Sequence, residues 1–106
     1  MSKTMQSGMV LAVVLSLTSL VGFAQSSGEA TYKAKCTMCH GPSGAAESPM
    51  AKMLKVKPVS DPEIKKLTSE QMFASVKNGK GKMQPFSGKL TDAQIKEAVA
   101  YYRGLK

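Results

Sequence analysis

After one distinctive opening, polar and apolar positions follow a helical period along this chain. Residues 9 to 21, MVLAVVLSLTSLV, form a near-continuous apolar run. Lys3 supplies a cation before it, and Gly22-Phe23-Ala24 follows it, with small residues flanking Phe23. A cation, an apolar run and a small-x-small exit describe a secretory signal peptide. The competing reading is a retained anchor. Against it, the run falls short of the ~20 residues that span a bilayer and is interrupted by Ser16, Thr18 and Ser19. Residues 1–24 are therefore expected to be signal and 25–106 a single domain.

Within 25–106, helix punctuation recurs. Ser26-Ser-Gly-Glu29 reads as a capping box opening a first helix that runs to His40, where Gly41-Pro42 stops it. Residues 41–61 are rich in Gly, Ser and Pro and read as loop, with a helical turn near Met50 to Leu54. Asp61-Pro62 is an N-cap followed by proline at the first helical position, which starts a short helix. Thr68 with Gln71, and Thr91 with Gln94, are two further capping boxes. Leu67–Met72 and Leu90–Ile95 are their hydrophobic staples. The first of these helices ends at Asn78-Gly79. In the second, Ile95, Val99 and Tyr102 share a face, as do Ala98, Tyr101 and Leu105. There is no strand-like alternation and no internal repeat. The pattern predicts an all-α domain of about four to five helices.

Charge and size refine this. The full chain has 106 residues and a net charge of +8. Without residues 1–24 it has 82 residues, 14 basic against 7 acidic side chains, and a charge of +7. Domains this small bury little surface and commonly need a staple. There is no Trp, and Phe73 and Phe86 are the only Phe beyond residue 24. A large buried cofactor would compensate for so thin a core. No aromatic-interleaved basic motif argues for nucleic acid.

Both cysteines fall in Cys36-Thr-Met-Cys-His40, a C-x-x-C-H string, the attachment signature of haem c. On a helix, positions i, i+3 and i+4 share one face. Two thiols, Cys36 and Cys39, can then bond the two vinyl groups of one porphyrin as thioethers. His40, the only histidine, is the candidate proximal iron ligand. A thioredoxin-like pair belongs to a βαβ pattern absent here. A zinc site needs about four ligands, and a plain disulfide leaves His40 unexplained. For the distal ligand, Met38 sits inside the motif. Met50, Met53 and Met72 lie in apolar or helical contexts, where methionine is a core filler. Met83 lies in Asn78-Gly-Lys-Gly-Lys-Met-Gln-Pro-Phe86, where glycines permit close approach and Pro85 fixes the chain. It is the candidate distal iron ligand; the alternative is a loop methionine that packs on haem without bonding iron.

With these landmarks in order, the chain resembles a small bacterial class I cytochrome c with one haem. Tyr32-Lys-Ala-Lys-Cys-Thr-Met-Cys-His-Gly41 resembles the family's opening, Asn78 to Met83 its distal loop, and Ala98 to Leu105 its closing helix. Gln84, between Met83 and Pro85, departs from relatives that place proline directly after the methionine. The resemblance implies a cytochrome c fold wrapped around one covalent haem c, with iron held by His40 and Met83. It also implies that Tyr32 in the first helix packs on Tyr101 in the last. A proline carbonyl, Pro49 being the candidate, would accept a hydrogen bond from His40 Nδ1.

Histidine with methionine is the ligand pair of electron-transferring haem. The expectation is thus a periplasmic carrier of single electrons between redox proteins, not an enzyme. No stable membrane insertion is expected after signal cleavage. Lys77, Lys80, Lys82 and Lys89 surround Met83 in sequence and would favour a partner with an acidic docking surface. The alternatives are an open-iron haem enzyme or gas-binding protein, and a fixed electron-transfer subunit of a larger oxidoreductase complex.

Overall fold

A computed structural model describes residues 27–106; the expected signal segment and Ser26 of the first capping box lie outside the described residues. The described part of α1 covers residues 27–35. It is followed by α2 (Thr37–His40), α3 (Pro49–Met53), α4 (Pro62–Lys65), α5 (Ser69–Asn78) and α6 (Asp92–Arg103). Among the described residues there is no strand, only the isolated bridges Lys80–Met83 and Ser87–Leu90. No helix of the described residues is long and apolar enough to cross a membrane.

The helix starts form by the chemistry their sequences announce. Thr68 Oγ1 accepts from the Gln71 amide (3.1 Å) while Gln71 Oε1 accepts from the Thr68 amide (2.9 Å). Thr91 and Gln94 repeat the same pair of bonds at 3.1 and 2.9 Å. Each box satisfies two amides that the first helical turn leaves without partners. Asp61 Oδ1 accepts from the Glu63 amide at 2.8 Å, with Pro62 in the first turn. Ser48 does the same for Ala51, ahead of Pro49.

The first helix does not run unbroken to His40. It turns at Cys36 (φ −115°), where Thr37 Oγ1 donates to the Lys33 carbonyl at 2.8 Å. A threonine hydroxyl bonding back to i−4 competes with the backbone ladder there. The Cys36 amide still reaches the Tyr32 carbonyl (2.8 Å), and the His40 amide the Cys36 carbonyl (2.9 Å). The attachment segment is thus a separate short turn bonded to α1.

The core is built on α6. Met72, Phe86, Ile95 and Val99 form its buried cluster, with Leu67, Val76, Leu90, Met83 and Tyr102 packed around them. On the other flank Tyr32, 1% exposed, lies between the rings of Tyr101 (centroids 5.2 Å apart) and Tyr102 (6.0 Å). The expected Tyr32–Tyr101 pairing is present, and Tyr102 joins it. The terminal helices cross at Gly28, which is buried: a Cβ there would sit 2.4 Å from the Glu97 carbonyl oxygen. Arg103 Nη1 donates to the Leu67 carbonyl at 3.0 Å, tying the end of α6 to the α4–α5 linker.

Of the methionines expected as core fillers, Met72 is buried, whereas Met50 and Met53 are 41% and 71% exposed. The cause is the brevity of α3. It lies on the surface and buries only Ala51. At 100° per residue, Met50 and Met53 are carried off that buried side.

Candidate cofactor site

Cys36 and Cys39 are free thiols, both half-buried. Burial first, and the neighbouring Cys39 second, push the Cys36 thiol up to about 11, so it stays S–H at neutral pH. His40 follows directly. Its ring meets Tyr102 edge-on, with centroids 5.4 Å apart. Burial lowers its pKa and favours the neutral imidazole. His40 Nδ1 is buried and makes no hydrogen bond, so the proline carbonyl expected to accept from it is not its partner in this structure.

Backbone contacts hold the attachment turn. Tyr32 Oη donates to the Gly41 carbonyl at 2.6 Å, fixing the exit from α2 to α1. The Ala46 amide returns to the His40 carbonyl (3.0 Å), and the Val59 amide to the Gly44 carbonyl (2.8 Å). Gly44 has φ 73°, and a Cβ there would lie 3.0 Å from Val59 Cγ1, so the loop closes against Val59 only at a glycine.

Met83 arrives from the other end of the chain. The Lys80 amide bonds the Met83 carbonyl at 3.1 Å and the Met83 amide bonds the Lys80 carbonyl at 3.0 Å. The two intervening residues are Gly81 and Lys82. Gly81 has φ 58°, the positive angle that a two-residue hairpin turn requires at its first position. Gly79 is tighter still. Its φ is 80°, and a Cβ would meet the Met83 carbonyl oxygen at 2.9 Å and the Pro85 nitrogen at 3.1 Å. Beyond the turn, the Phe86 and Ser87 amides cap the Val76 and Lys77 carbonyls at 2.9 and 3.1 Å. These acceptors at the end of α5 would otherwise lack partners. Both ends of the Met83 loop are thereby fastened to α5. The Gln84 insertion is accommodated without loss of the turn, and Gln84 Oε1 accepts from Lys89 Nζ at 2.9 Å.

The lysines around Met83 are not equivalent. Lys77 pairs with Asp92 at 3.3 Å and lies over the Phe73 ring. Lys89 is held by Gln84 and lies over Phe86. Lys80 and Lys82 are exposed and carry no ion pair among the described residues. The positive charge of this loop that no carboxylate neutralises therefore resides on Lys80, Lys82 and Lys89, whose Gln84 partner is uncharged, and Lys80 and Lys82 are the two left without a side-chain partner.

Among the described residues no cluster of His, Cys, Asp or Glu could hold a metal ion unaided. The residues present do fit haem c: two unpaired thiols three apart, a following histidine that burial keeps neutral, and a thioether on a glycine-shaped turn. Both ends of this set meet on α6. His40 touches Tyr102, and Tyr102 and Met83 each pack on the Ile95–Val99 cluster. Residue reasoning passed over Tyr102 as a neighbour of His40, although its place on the Ile95–Val99 face was a signal for it.

Residues 23–101 match the family model described as cytochrome c oxidase, cbb3-type, subunit III. Cytochrome c6 of Leptolyngbya boryana is 38% identical over 74 residues, covering 70% of this chain and 84% of that protein. Cytochrome c-555 of Chlorobaculum thiosulfatiphilum is 40% identical over 84 residues, covering 73% and 91%. The solved structure of the KustC0563 c-type cytochrome superposes with a TM-score of 0.69 at 30% identity, over 74% of this chain and 96% of that one.

Proposed function

From the premise that this chain belongs to the small class I single-haem c-type cytochromes, we propose that it shuttles single electrons through His40- and Met83-ligated iron. It is an electron carrier, not an enzyme, its cofactor is one covalent haem c, and it acts with redox protein partners. The bound iron supplies a site that alternates between ferric and ferrous forms. Cys36 and Cys39 would hold the porphyrin as thioethers. His40 would offer the iron a neutral imidazole nitrogen and Met83 a thioether sulfur. The observation that carries this reading is the juxtaposition of two unpaired thiols with a directly following histidine that burial keeps neutral. We further propose that residues 1–24 direct export and are removed, and that 25–106 works in the periplasm.

The experiment is the visible spectrum and potential of mature protein and of Met83→Ala. The native protein should show a c-type reduced spectrum that survives acid-acetone extraction. Its ferric form should show the weak far-red band of iron bonded to methionine sulfur. Met83→Ala should lose that band and lower the potential by on the order of 100 mV. That corresponds to ~2–3 kcal/mol of preference for ferrous iron, at ~59 mV per factor of ten. A variant with an unchanged spectrum removes Met83 as ligand. Carbon monoxide binding by the native ferrous protein would favour the open-iron alternative.

Partner recognition follows from Lys80 and Lys82, whose free charges favour an acidic docking surface. Replacing both by glutamate should slow reduction of ferricyanide, a small anionic probe, by about tenfold at low salt, and the difference should vanish at high salt. Equal rates at low salt would show that these lysines do not set the local field.

A second reading, a fixed subunit of a larger complex, is favoured by the name of the matching family model. A soluble monomer after purification supports the diffusible carrier; copurification with a membrane complex in high salt supports the subunit.

A further inference from the structure

Asn78 is the chain's only asparagine, and a glycine follows it. It closes α5, is exposed, and its side chain makes no hydrogen bond among the described residues. The Gly79 amide likewise donates to no carbonyl among the described residues. A side-chain amide that nothing holds thus lies beside a backbone nitrogen that nothing holds and no side chain shields. Asparagine is one of the thermolabile residues. The fold imposes the glycine half of this pair. Residue 79 leaves α5 with φ 80°, and a Cβ there would meet the Met83 carbonyl oxygen at 2.9 Å and the Pro85 nitrogen at 3.1 Å. Only glycine meets both demands. No bond of its side chain requires asparagine at 78.

We propose that Asn78 is a self-modification site whose conversion adds negative charge to the loop bearing Met83 and loosens it. The Gly79 nitrogen attacks Cγ of Asn78 and a C–N bond forms. The side-chain nitrogen leaves as ammonia, taking the Gly79 amide proton, and a five-membered cyclic imide remains. Water then opens the imide. Cleavage of the new bond, between Asn78 Cγ and the Gly79 nitrogen, leaves aspartate. Cleavage of the original peptide bond leaves isoaspartate, whose main chain runs through Cβ and Cγ and is one atom longer. No electron is gained or lost, and water is the only co-reactant. The helix sets the pace. Ring closure needs the Gly79 nitrogen nearly eclipsed with Asn78 Cβ, and a helical ψ of about −42° does not give that. Each conversion therefore waits for the last turn of α5 to open, and helix ends are among the parts of a fold that open most readily.

Either product places a carboxylate on the last residue of α5, where the helix dipole disfavours negative charge. The new charge lies two residues before Lys80 and four before Lys82, and it lowers the +7 of residues 25–106 by one. Isoaspartate does more. Its extra atom enters immediately before Gly79, where the contacts with Met83 and Pro85 leave no slack. It also falls between the two anchors of the loop. On one side the Lys77 carbonyl accepts from the Ser87 amide at 3.1 Å, and on the other Lys80 and Met83 exchange bonds at 3.1 and 3.0 Å. The register between these anchors shifts by one atom. The modification stands apart from the carrier reading, whereas its effect on iron rests on Met83 as ligand.

The test ages mature holoprotein in warm neutral buffer and separates its charge forms by cation exchange. Native protein should yield two earlier-eluting forms, assigned by peptide fragmentation to aspartate and isoaspartate at residue 78. They should accumulate on the order of tenfold more slowly than in the same chain unfolded in urea. N78Q keeps the amide but would need a larger ring, and should yield neither form. N78D supplies the charge without the added atom. It should keep the far-red ferric band and reduce ferricyanide roughly twofold more slowly at low salt. The isolated isoaspartate form should share that slowing and also lose the far-red band at a lower temperature than native protein or N78D. Native protein that stays intact at residue 78 while the urea-unfolded chain converts overturns the site. An isoaspartate form whose far-red band is as heat-stable as the native one overturns the loosening of the Met83 loop. Absence of the band from fresh native protein would instead fail the Met83 assignment, and the charge forms would still decide the modification.

Discussion

Replacing Cys36 and Cys39 together by serine should yield a chain without covalent haem and without a cooperative unfolding transition. The reason is the poverty of the core. Among the described residues eight apolar side chains are buried, and only two of the larger ones, Tyr32 and Ile95, are fully enclosed. Around the attachment turn the burial is thinner still, with Ala51 and Val59 the buried apolar residues of the long 41–61 stretch. A domain of this length rarely draws more than about 3–5 kcal/mol from its own core. Haem attached by two bonds adds apolar surface to that core and shortens the loops available to the unfolded chain. Withdrawing it removes a contribution comparable to the whole stability, since native proteins are stable by only ~5–15 kcal/mol. The ion pairs do not compensate: Glu29–Lys33, Lys57–Glu63 and Lys77–Asp92 are all on the surface. Haem staining after denaturing electrophoresis reads attachment, and circular dichroism against temperature reads folding. The single variants, each keeping one thiol, should fall between native and double variant. A haem-free double variant with native helix content and a sharp transition would show that the protein core suffices alone.

How much of this architecture the residues announced depends on the range of the interactions involved. Caps are local, so Thr68, Thr91 and Asp61 each found the amide that sequence assigned them. The turn carrying Met83 was legible for the same reason, because Gly79 and Gly81 sit within four residues of it. The C-x-x-C-H string and its free thiols also follow from short spacing. What could not be read depends on elements distant in sequence. Gly28 stood in a capping motif, and nothing near it shows that Glu97 lies against it. Met50 and Met53 have the composition of core positions, but whether α3 is buried is decided by what covers it. Lys77 looked like part of a free basic cluster, yet Asp92, fifteen residues on, takes its charge. The break at Cys36 is intermediate. The Thr37 hydroxyl is visible in sequence, but its choice of the Lys33 carbonyl over solvent is not.

Gly28→Ala is the other large effect expected, and here two local forces oppose each other. In an isolated helix alanine is favoured over glycine by about 0.5–1 kcal/mol. At this crossing the added methyl would lie 2.4 Å from the Glu97 carbonyl oxygen and 2.9 Å from its carbon. Those are backbone atoms of α6, with no flexible side chain to swing aside, so α1 itself must move. Overpacking of this kind costs ~1–3 kcal/mol or more, which outweighs the propensity gain. The melting temperature should fall by about 5–15 °C, at ~4–8 °C per kcal/mol for a domain of this size. The displacement should also reach the cofactor. Tyr32, one turn further along α1, holds the Gly41 carbonyl after His40 and stacks on Tyr102, whose ring bears on His40. The variant should therefore lose its far-red ferric band at a lower temperature than its helices melt, whereas native protein loses both together. Thermal unfolding followed at both wavelengths decides this. A melting temperature raised by Gly28→Ala would mean that helix propensity prevails and that α1 and α6 cross with room to spare.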